Sequence, residues 1–410
     1  MTAGPYRTRH DERMAITVSE LPTRTSVVVV GGGVIGASVA WHLARRGCTD
    51  VVVLDRAAAP GTGDGSTARA TGGYRAQYAS AINVRLSLLG RSALRRFAAE
   101  TGVDPGYRPV GYLFLAHDHA TFDALARTQR MQHDEGVTEA RMLDADEAAR
   151  VNPHVLLDGA VGAAWCPSDG TIRPLEILRG FREGAERLGV RFLWHTSATA
   201  LVRGTDGRIT HVACGARRIA TDWVVNAAGA WAAPLAAMAD VALPVTPARR
   251  QIAVTSPLAT LDDGFPMTIW TKDGFHLRVR DGRALLNWPV ATPGAHPTDL
   301  SLHRPWVETT WAMARARVPA LRDAALDDAA HWTGLYEMSP DKTAILDRAP
   351  GCANFVLVNG SSGHGVMHSP ALGRLASELI VDGAATTLDI HPLRLARFAD
   401  GDTHPVSDVL

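Results

Sequence analysis

Lysine is almost absent from this chain. Lys272 and Lys342 are the only two in 410 residues, so arginine carries nearly all the positive charge. Basic and acidic residues balance at 42 each, leaving no net charge. That balance removes the electrostatic footprint of a nucleic-acid partner or an anionic membrane surface. No apolar run approaches the ~20 residues that a membrane span needs. Cysteine is sparse too. Cys48, Cys166, Cys214 and Cys352 lie far apart, with no C-x-x-C pair and no metal-ligand spacing. They read as thiols of a reducing compartment, and no metal is expected. Residues Met1–Thr25 lack the apolar core of a secretory signal and carry no twin arginine. They are expected to be a disordered leader, with Met14 as an alternative start, so a cytoplasmic location follows by default. There is also no pair of carboxylates at acid–base spacing and no Ser/His/Asp constellation that demands an explanation.

What the chain does have is glycine in the right place. An apolar run, Val27–Val30, leads directly into Gly31-Gly32-Gly33-Val34-Ile35-Gly36. A helical stretch, Ala37 to Arg46, follows, then a second apolar run, Val51–Leu54, ending at Asp55. Strand, glycine turn, helix, strand and acid together form a dinucleotide-binding unit. Gly31 allows the tight turn. Gly33 lets backbone N–H groups approach a pyrophosphate, and Gly36 lets the helix pack on the strand. The helix N-terminus offers unpaired N–H donors and a positive dipole end. Asp55 is placed to accept from ribose hydroxyls.

With 46% hydrophobic residues, 410 residues suffice for two or three domains. A small-residue loop, Pro60–Arg75, suits backbone wrapped around something flat or charged, and an amphipathic helix follows from Ala81 to Glu100. Further strands are expected at Gly111–Leu115, Gly162–Trp165, Ile209–Cys214 with Gly215–Ala220 as a hairpin, and Trp223 onward. Polar helices are expected up to Ala149, between the first two of these. Strands then dominate from Val245 to His331, at Arg250–Thr255, Met267–Thr271, Phe275–Arg280 and Ala284–Pro289, closed by a helix from Trp306 to Arg317. The end returns to strand Phe355–Val358, the turn Asn359–Gly365 and helix Met367–Val381. The predicted class is α/β (α+β overall). A Rossmann-like domain (26–105, 150–244, 332–400) interleaves with a mixed-sheet substrate domain (106–149, 245–331).

These segments resemble the D-amino-acid oxidase superfamily of FAD enzymes, in its sarcosine oxidase β-subunit and glycine oxidase branch. The resemblance rests on Val30–Gly36, Ser66–Arg75, Val225-Asn226-Ala227-Ala228-Gly229-Ala230-Trp231, Gly334–Asp341 and Gly360–Gly365, in this order. It implies FAD rather than NAD. It also implies oxidation of an amine or amino acid, with secondary amines, N-methyl amino acids and cyclic imino acids favoured. Hydride would pass from the carbon next to nitrogen to flavin N5, leaving an imine. The implied cofactor contacts are Gly31, Gly33, Val34, Ile35, Gly36, Asp55 and Arg56. They continue with Ser66, Thr67, Arg69, Thr71, Gly72 and Gly73, then Ala198, Ala228, Gly229 and Trp231. Gly334, Ser362, Gly363, His364, Gly365 and Val366 complete them.

For catalysis the resemblance points to Arg280 as the carboxylate-binding arginine, with Arg75 as the alternative. Arg278 shares the strand face of Arg280, because Leu277 and Val279 alternate with them. Tyr336 matches an active-site tyrosine. His364 lies at a turn whose N–H groups suit the flavin's N1–C2=O edge. His276 and Trp270 are further candidates for the pocket wall. Departures are equally informative. Gly334 stands where monomeric sarcosine oxidases attach flavin through cysteine, so noncovalent FAD is expected. No lysine occupies the oxygen-activating region Leu285-Leu286-Asn287-Trp288, so slow reaction with oxygen is expected. Two alternatives stay open: a dehydrogenase passing electrons to a partner protein in a homo- or hetero-oligomer, and a flavoprotein assembly subunit without turnover.

Overall fold

A computed structural model describes residues 21–290 and 299–405. The valines of the first strand, Arg24–Val30, show why it forms where it does. Val27 and Val29 are buried in one apolar cluster, Val28 and Val30 in another. A strand covered on both faces belongs inside a parallel sheet, and each fully buried valine contributes ~1.5–3 kcal/mol. Arg24–Val30 accordingly pairs in parallel with Val51–Leu54 on one side and Arg217–Asn226 on the other. Cys352–Asn359 adds to Arg217–Asn226, and Arg191–Leu193 adds to Val51–Leu54, both in parallel. Most of the expected leader (1–25) lies outside the described residues. Its last two residues do not belong to it, because Arg24 and Thr25 already pair with Ala220 and Thr221.

Helices Val34–Arg45 and Gly365–Val381 cover one face of this sheet and lie against each other. Ser38 Oγ donates to the Ser369 carbonyl at 2.7 Å, and a Cβ on Gly373 would sit 2.2 Å from Ser38 Oγ. Pro370 lies inside the second of these helices and cannot donate to the Val366 carbonyl. The hydroxyl of Ser369 donates to that carbonyl instead, at 2.9 Å.

The second sheet runs in the order Trp332–Met338, Thr246–Val254, Arg283–Asn287, His276–Arg280, Met267–Trp270, Tyr112–Ala116, Gly162–Cys166, Arg141–Asp144. All its neighbours are antiparallel except Met267–Trp270 with Tyr112–Ala116. Two of these strands, Gly162–Cys166 and Trp332–Met338, fall in segments expected to build the nucleotide domain. They join the other sheet through pairings distant in sequence, which local pattern cannot register. Arg141–Asp144 was expected to be helical, but only Leu143 of its four residues is buried and its backbone pairs at the sheet edge. Arg217–Asn226 merges two expected strands into one. The polar Thr221 that interrupts the apolar pattern is buried, and its hydroxyl donates to the carbonyls of Ser26 and Trp223. No helix among the described residues is long and apolar enough to cross a membrane.

Candidate active site between the two sheets

A cavity of about 1060 Å³ runs from the Gly31–Ile35 turn to the second sheet. At its first end the backbone requires glycine. Gly31 adopts φ +112°, and a Cβ there would lie 2.2 Å from the Ala227 carbonyl oxygen. Gly33 precedes the helix Val34–Arg45 with no side-chain cap and no acid in the first turn. The N–H groups of that turn therefore remain available to an anion, apart from Val34 N, which donates to Thr67 Oγ1 at 3.1 Å. Asp55 does more than was expected. One of its carboxylate oxygens accepts from Gly32 N and the other from Ala57 N, both at 2.7 Å. It thus fixes the glycine turn and keeps lone pairs toward the cavity. Arg56 stacks 3.8 Å over the Trp231 ring, so the loops after two parallel strands meet at the cavity wall.

The small-residue loop bridges the two sheets. Ser66 Oγ donates to the Leu335 carbonyl at 2.7 Å, and Arg69 Nη1 to that of Thr333 at 2.8 Å. Trp332 Nε1 returns a bond to the Arg69 carbonyl at 2.8 Å. Arg69 is therefore a brace as well as part of the wall. Every expected cofactor residue lines the cavity except Gly36. Gly36 sits behind the wall, where a Cβ would clash with the Gly31 carbonyl at 1.8 Å.

The far end is cationic. Arg75, Arg250 and Arg278 all line it, together with Tyr336, His276 and His364. Arg278 is buried, and its Nη2 donates to Tyr112 Oη at 2.9 Å. Its Nη1 has no hydrogen-bond partner among the described residues. Arg75 lies 4.2 Å over the Tyr78 ring, and its Nη2 donates to His364 Nε2 at 3.3 Å. That direction leaves the imidazole proton on Nδ1. Burial, and then the charge of Arg75, hold His364 well below its ordinary pKa, so the ring is neutral. His276 Nδ1 faces the Gly274 carbonyl at 2.8 Å, so Nδ1 is protonated and Nε2 carries the lone pair. Burial pushes this histidine down to about 4. Tyr336 is fixed from behind by Gly363, whose φ is +91°. A Cβ there would lie 2.4 Å from the tyrosine ring.

The structure does not bring Arg280, expected to bind a carboxylate, to the cavity, whereas Arg75, Arg250 and Arg278 line it. Arg280 lies outside the cavity wall, and its Nη1 holds the Thr71 carbonyl at 2.9 Å. It shares a strand face with Arg278, but its place along the strand sets it behind the loop. Trp270 is likewise fully buried in the apolar core of the second sheet and does not line the cavity. Among the lining residues that escaped the sequence pattern are Arg250, Glu337 and Lys342. Arg250 arrives because Thr246–Val254 pairs with Trp332–Met338, setting Arg250 opposite Gly334. The Leu285–Trp288 region contributes nothing to the wall.

The residues present fit a flavin dinucleotide: a glycine cradle and open helix N-terminus at one end, small-residue loops along the cavity, and a polar, cationic pocket at the other. The family described as FAD dependent oxidoreductase matches residues 26–379. FAD-dependent oxidoreductase domain-containing protein 1 of Xenopus laevis is 28% identical, with 92% of this chain and 83% of that protein covered. Glycine oxidase of Geobacillus kaustophilus is 27% identical over 91% of this chain and 97% of its own. The crystal structure of L-proline dehydrogenase from P. horikoshii superposes with a TM-score of 0.85 at 28% identity, covering 93% of this chain and 99% of the other. The chain belongs to the FAD-dependent oxidoreductase (DAO) family and is an FAD-dependent oxidoreductase.

Proposed function

We propose that this enzyme oxidises a carboxylated secondary amine, an N-methyl amino acid or a cyclic imino acid, at the carbon next to nitrogen. The observation that carries the reading is the Arg278 guanidinium, buried at the cavity wall with Nη1 lacking a partner among the described residues. A desolvated cation with an open donor is stabilised by a bound anion. Arg75 and Arg250 line the same end and reinforce the preference.

FAD, held by the glycine turn and the small-residue loops, would supply the two-electron acceptor for oxidation of the amine to an imine, with the nitrogen's proton released to water. The protein's part is to bind, orient and select the protonation state. An arginine ~6 Å from a substrate ammonium disfavours that ammonium by roughly 3 kcal/mol at an effective dielectric of 20. Three arginines and two neutral histidines therefore favour the free amine, whose lone pair assists loss of hydride. His276 Nε2, as a lone-pair acceptor, suits the remaining amine N–H. Phe114, Met267 and Ile269 complete the wall with apolar surface, which fits an apolar substituent beside the carboxylate. 4-Methylaminobutanoate oxidase and L-proline dehydrogenase are named for carboxylated secondary amines, and glycine oxidase for a carboxylated primary amine; the first two support the reading.

The acceptor is proposed to be something other than oxygen in the working enzyme, because Leu285–Trp288 brings no cation to the wall. A cytoplasmic setting accords with four free cysteines. Stopped-flow reoxidation of substrate-reduced enzyme tests the acceptor: an artificial dye should react faster than oxygen. Equal rates would make the enzyme an oxidase. Turnover of a secondary amino acid against its methyl ester tests the substrate class. The ester should lose most of kcat/KM, and equal turnover of the two would refute carboxylate recognition.

A further inference from the structure

Among the described residues, the buried carboxylates have a donor on each oxygen, with one exception. Asp341 accepts from Arg397 Nε and Nη2, from Thr343 N and from His404 N. Asp169 accepts from Ala76 N at 2.6 Å and Gln77 Nε2 at 3.0 Å. Glu337 is buried on the strand Trp332–Met338, and its Oε1 accepts a long bond from Ser361 N, at 3.3 Å. Its Oε2 is the one buried carboxylate oxygen without a partner among the described residues. Among the described residues no arginine, lysine or histidine pairs with it. Burial raises its pKa from 4.5 to about 7, against the bonds from Ser361 and Gly360. A buried acid left half-satisfied in a structural role costs stability and returns nothing.

Its position supplies the missing partner. Glu337 lines the cavity. Its peptide carbonyl accepts from Ser362 N at 3.0 Å, so backbone and side chain both grip the Gly360–Gly365 turn. That turn touches the dinucleotide unit: a Cβ on Gly365 would meet Ser361 Cβ at 3.3 Å and Ile35 Cδ1 at 3.4 Å. Glu337 therefore follows Tyr336 on its strand and grips the turn that carries His364 and reaches the dinucleotide unit, linking the part that suits a pyrophosphate to the catalytic end. The stretch of FAD that joins those two parts is the ribityl chain, a row of uncharged hydroxyl donors. We propose that Glu337 is a cofactor-binding residue whose Oε2 accepts a hydrogen bond from a ribityl hydroxyl of FAD.

The test is equilibrium binding of FAD to apoenzyme, read by quenching of flavin fluorescence, and needs no turnover. Glu337→Gln retains a carbonyl acceptor and should bind within about threefold of wild type. Glu337→Met, similar in size without an acceptor, should bind about 10- to 100-fold more weakly. Glu337→Asp, which keeps the charge but loses reach, should also weaken binding and stands in if the methionine variant does not fold. FAD analogues lacking the 2′-, 3′- or 4′-hydroxyl of the ribityl chain complete the cycle. One of them should bind wild type about 10-fold more weakly, yet bind the methionine or aspartate variant no more weakly than FAD does. If every analogue's loss adds to the variant's loss, or if Glu337→Met binds FAD as wild type does, Oε2 makes no such contact.

Discussion

Arg278 and Arg280 illustrate how far a single residue's role depends on its surroundings. Alternation along the strand puts both on one face, and the sequence pattern can say no more. The structure separates them: Arg278 lines the cavity with Nη1 lacking a partner among the described residues, and Arg280, outside the wall, braces the Thr71 carbonyl. Arg278→Met should therefore lower kcat/KM for a carboxylated amine by roughly 30- to 1000-fold, the equivalent of about 2–4 kcal/mol. A matched amine without a carboxylate should be nearly unaffected. Equal losses for both substrates would indicate damage to the fold or to the flavin site. Arg280→Ala should act on cofactor affinity rather than on substrate selection, through the loosened Thr71–Gly72 backbone.

At the scale of elements, the dinucleotide unit was legible because it is local. Strand, turn, helix and acid follow one another within thirty residues or so, and each leaves a signature in glycine placement and apolar period. Gly33→Val tests that unit directly. The glycine's φ is −71°, so valine fits the backbone there. A side chain at this position nonetheless enters the cavity wall beside Thr67. The variant should fold with unchanged circular dichroism yet lose FAD binding by at least 100-fold; stoichiometric FAD in a folded variant would overturn the assignment of the turn. Elements assembled from distant segments were not legible. Gly162–Cys166 and Trp332–Met338 belong to the second sheet only because of partners far away in the chain. Arg250 and Glu337 escaped notice for the same reason: each is an ordinary strand residue until pairing carries it to the cavity. Gly334 carries no nucleophile, and no cysteine of the chain lines the cavity. Acid precipitation should therefore release all the flavin into the supernatant.

At the scale of the whole molecule, the chain's last described segment returns to lock the site. Arg397 is fully buried, and its guanidinium donates to Asp341 and to the Thr343 carbonyl. Asp341 lies in the turn that also carries Lys342 into the cavity wall. Removing one member of such a buried pair strands the other charge and costs about 3–5 kcal/mol. Arg397→Met should lower Tm by roughly 5–10 °C, and Asp341→Asn added to it should recover part of the loss. An unchanged Tm would mean that the latch does not hold.

Oxidation of a carboxylated secondary amine in this cavity is the proposed activity. Its most direct test is anaerobic mixing of the FAD-loaded enzyme with a panel of N-methyl amino acids and cyclic imino acids, followed by the visible flavin band. At least one of them should bleach the flavin within the mixing experiment and yield the corresponding imine or its hydrolysis product, while its methyl ester should not. A flavin that dithionite bleaches but no carboxylated amine reduces would contradict it.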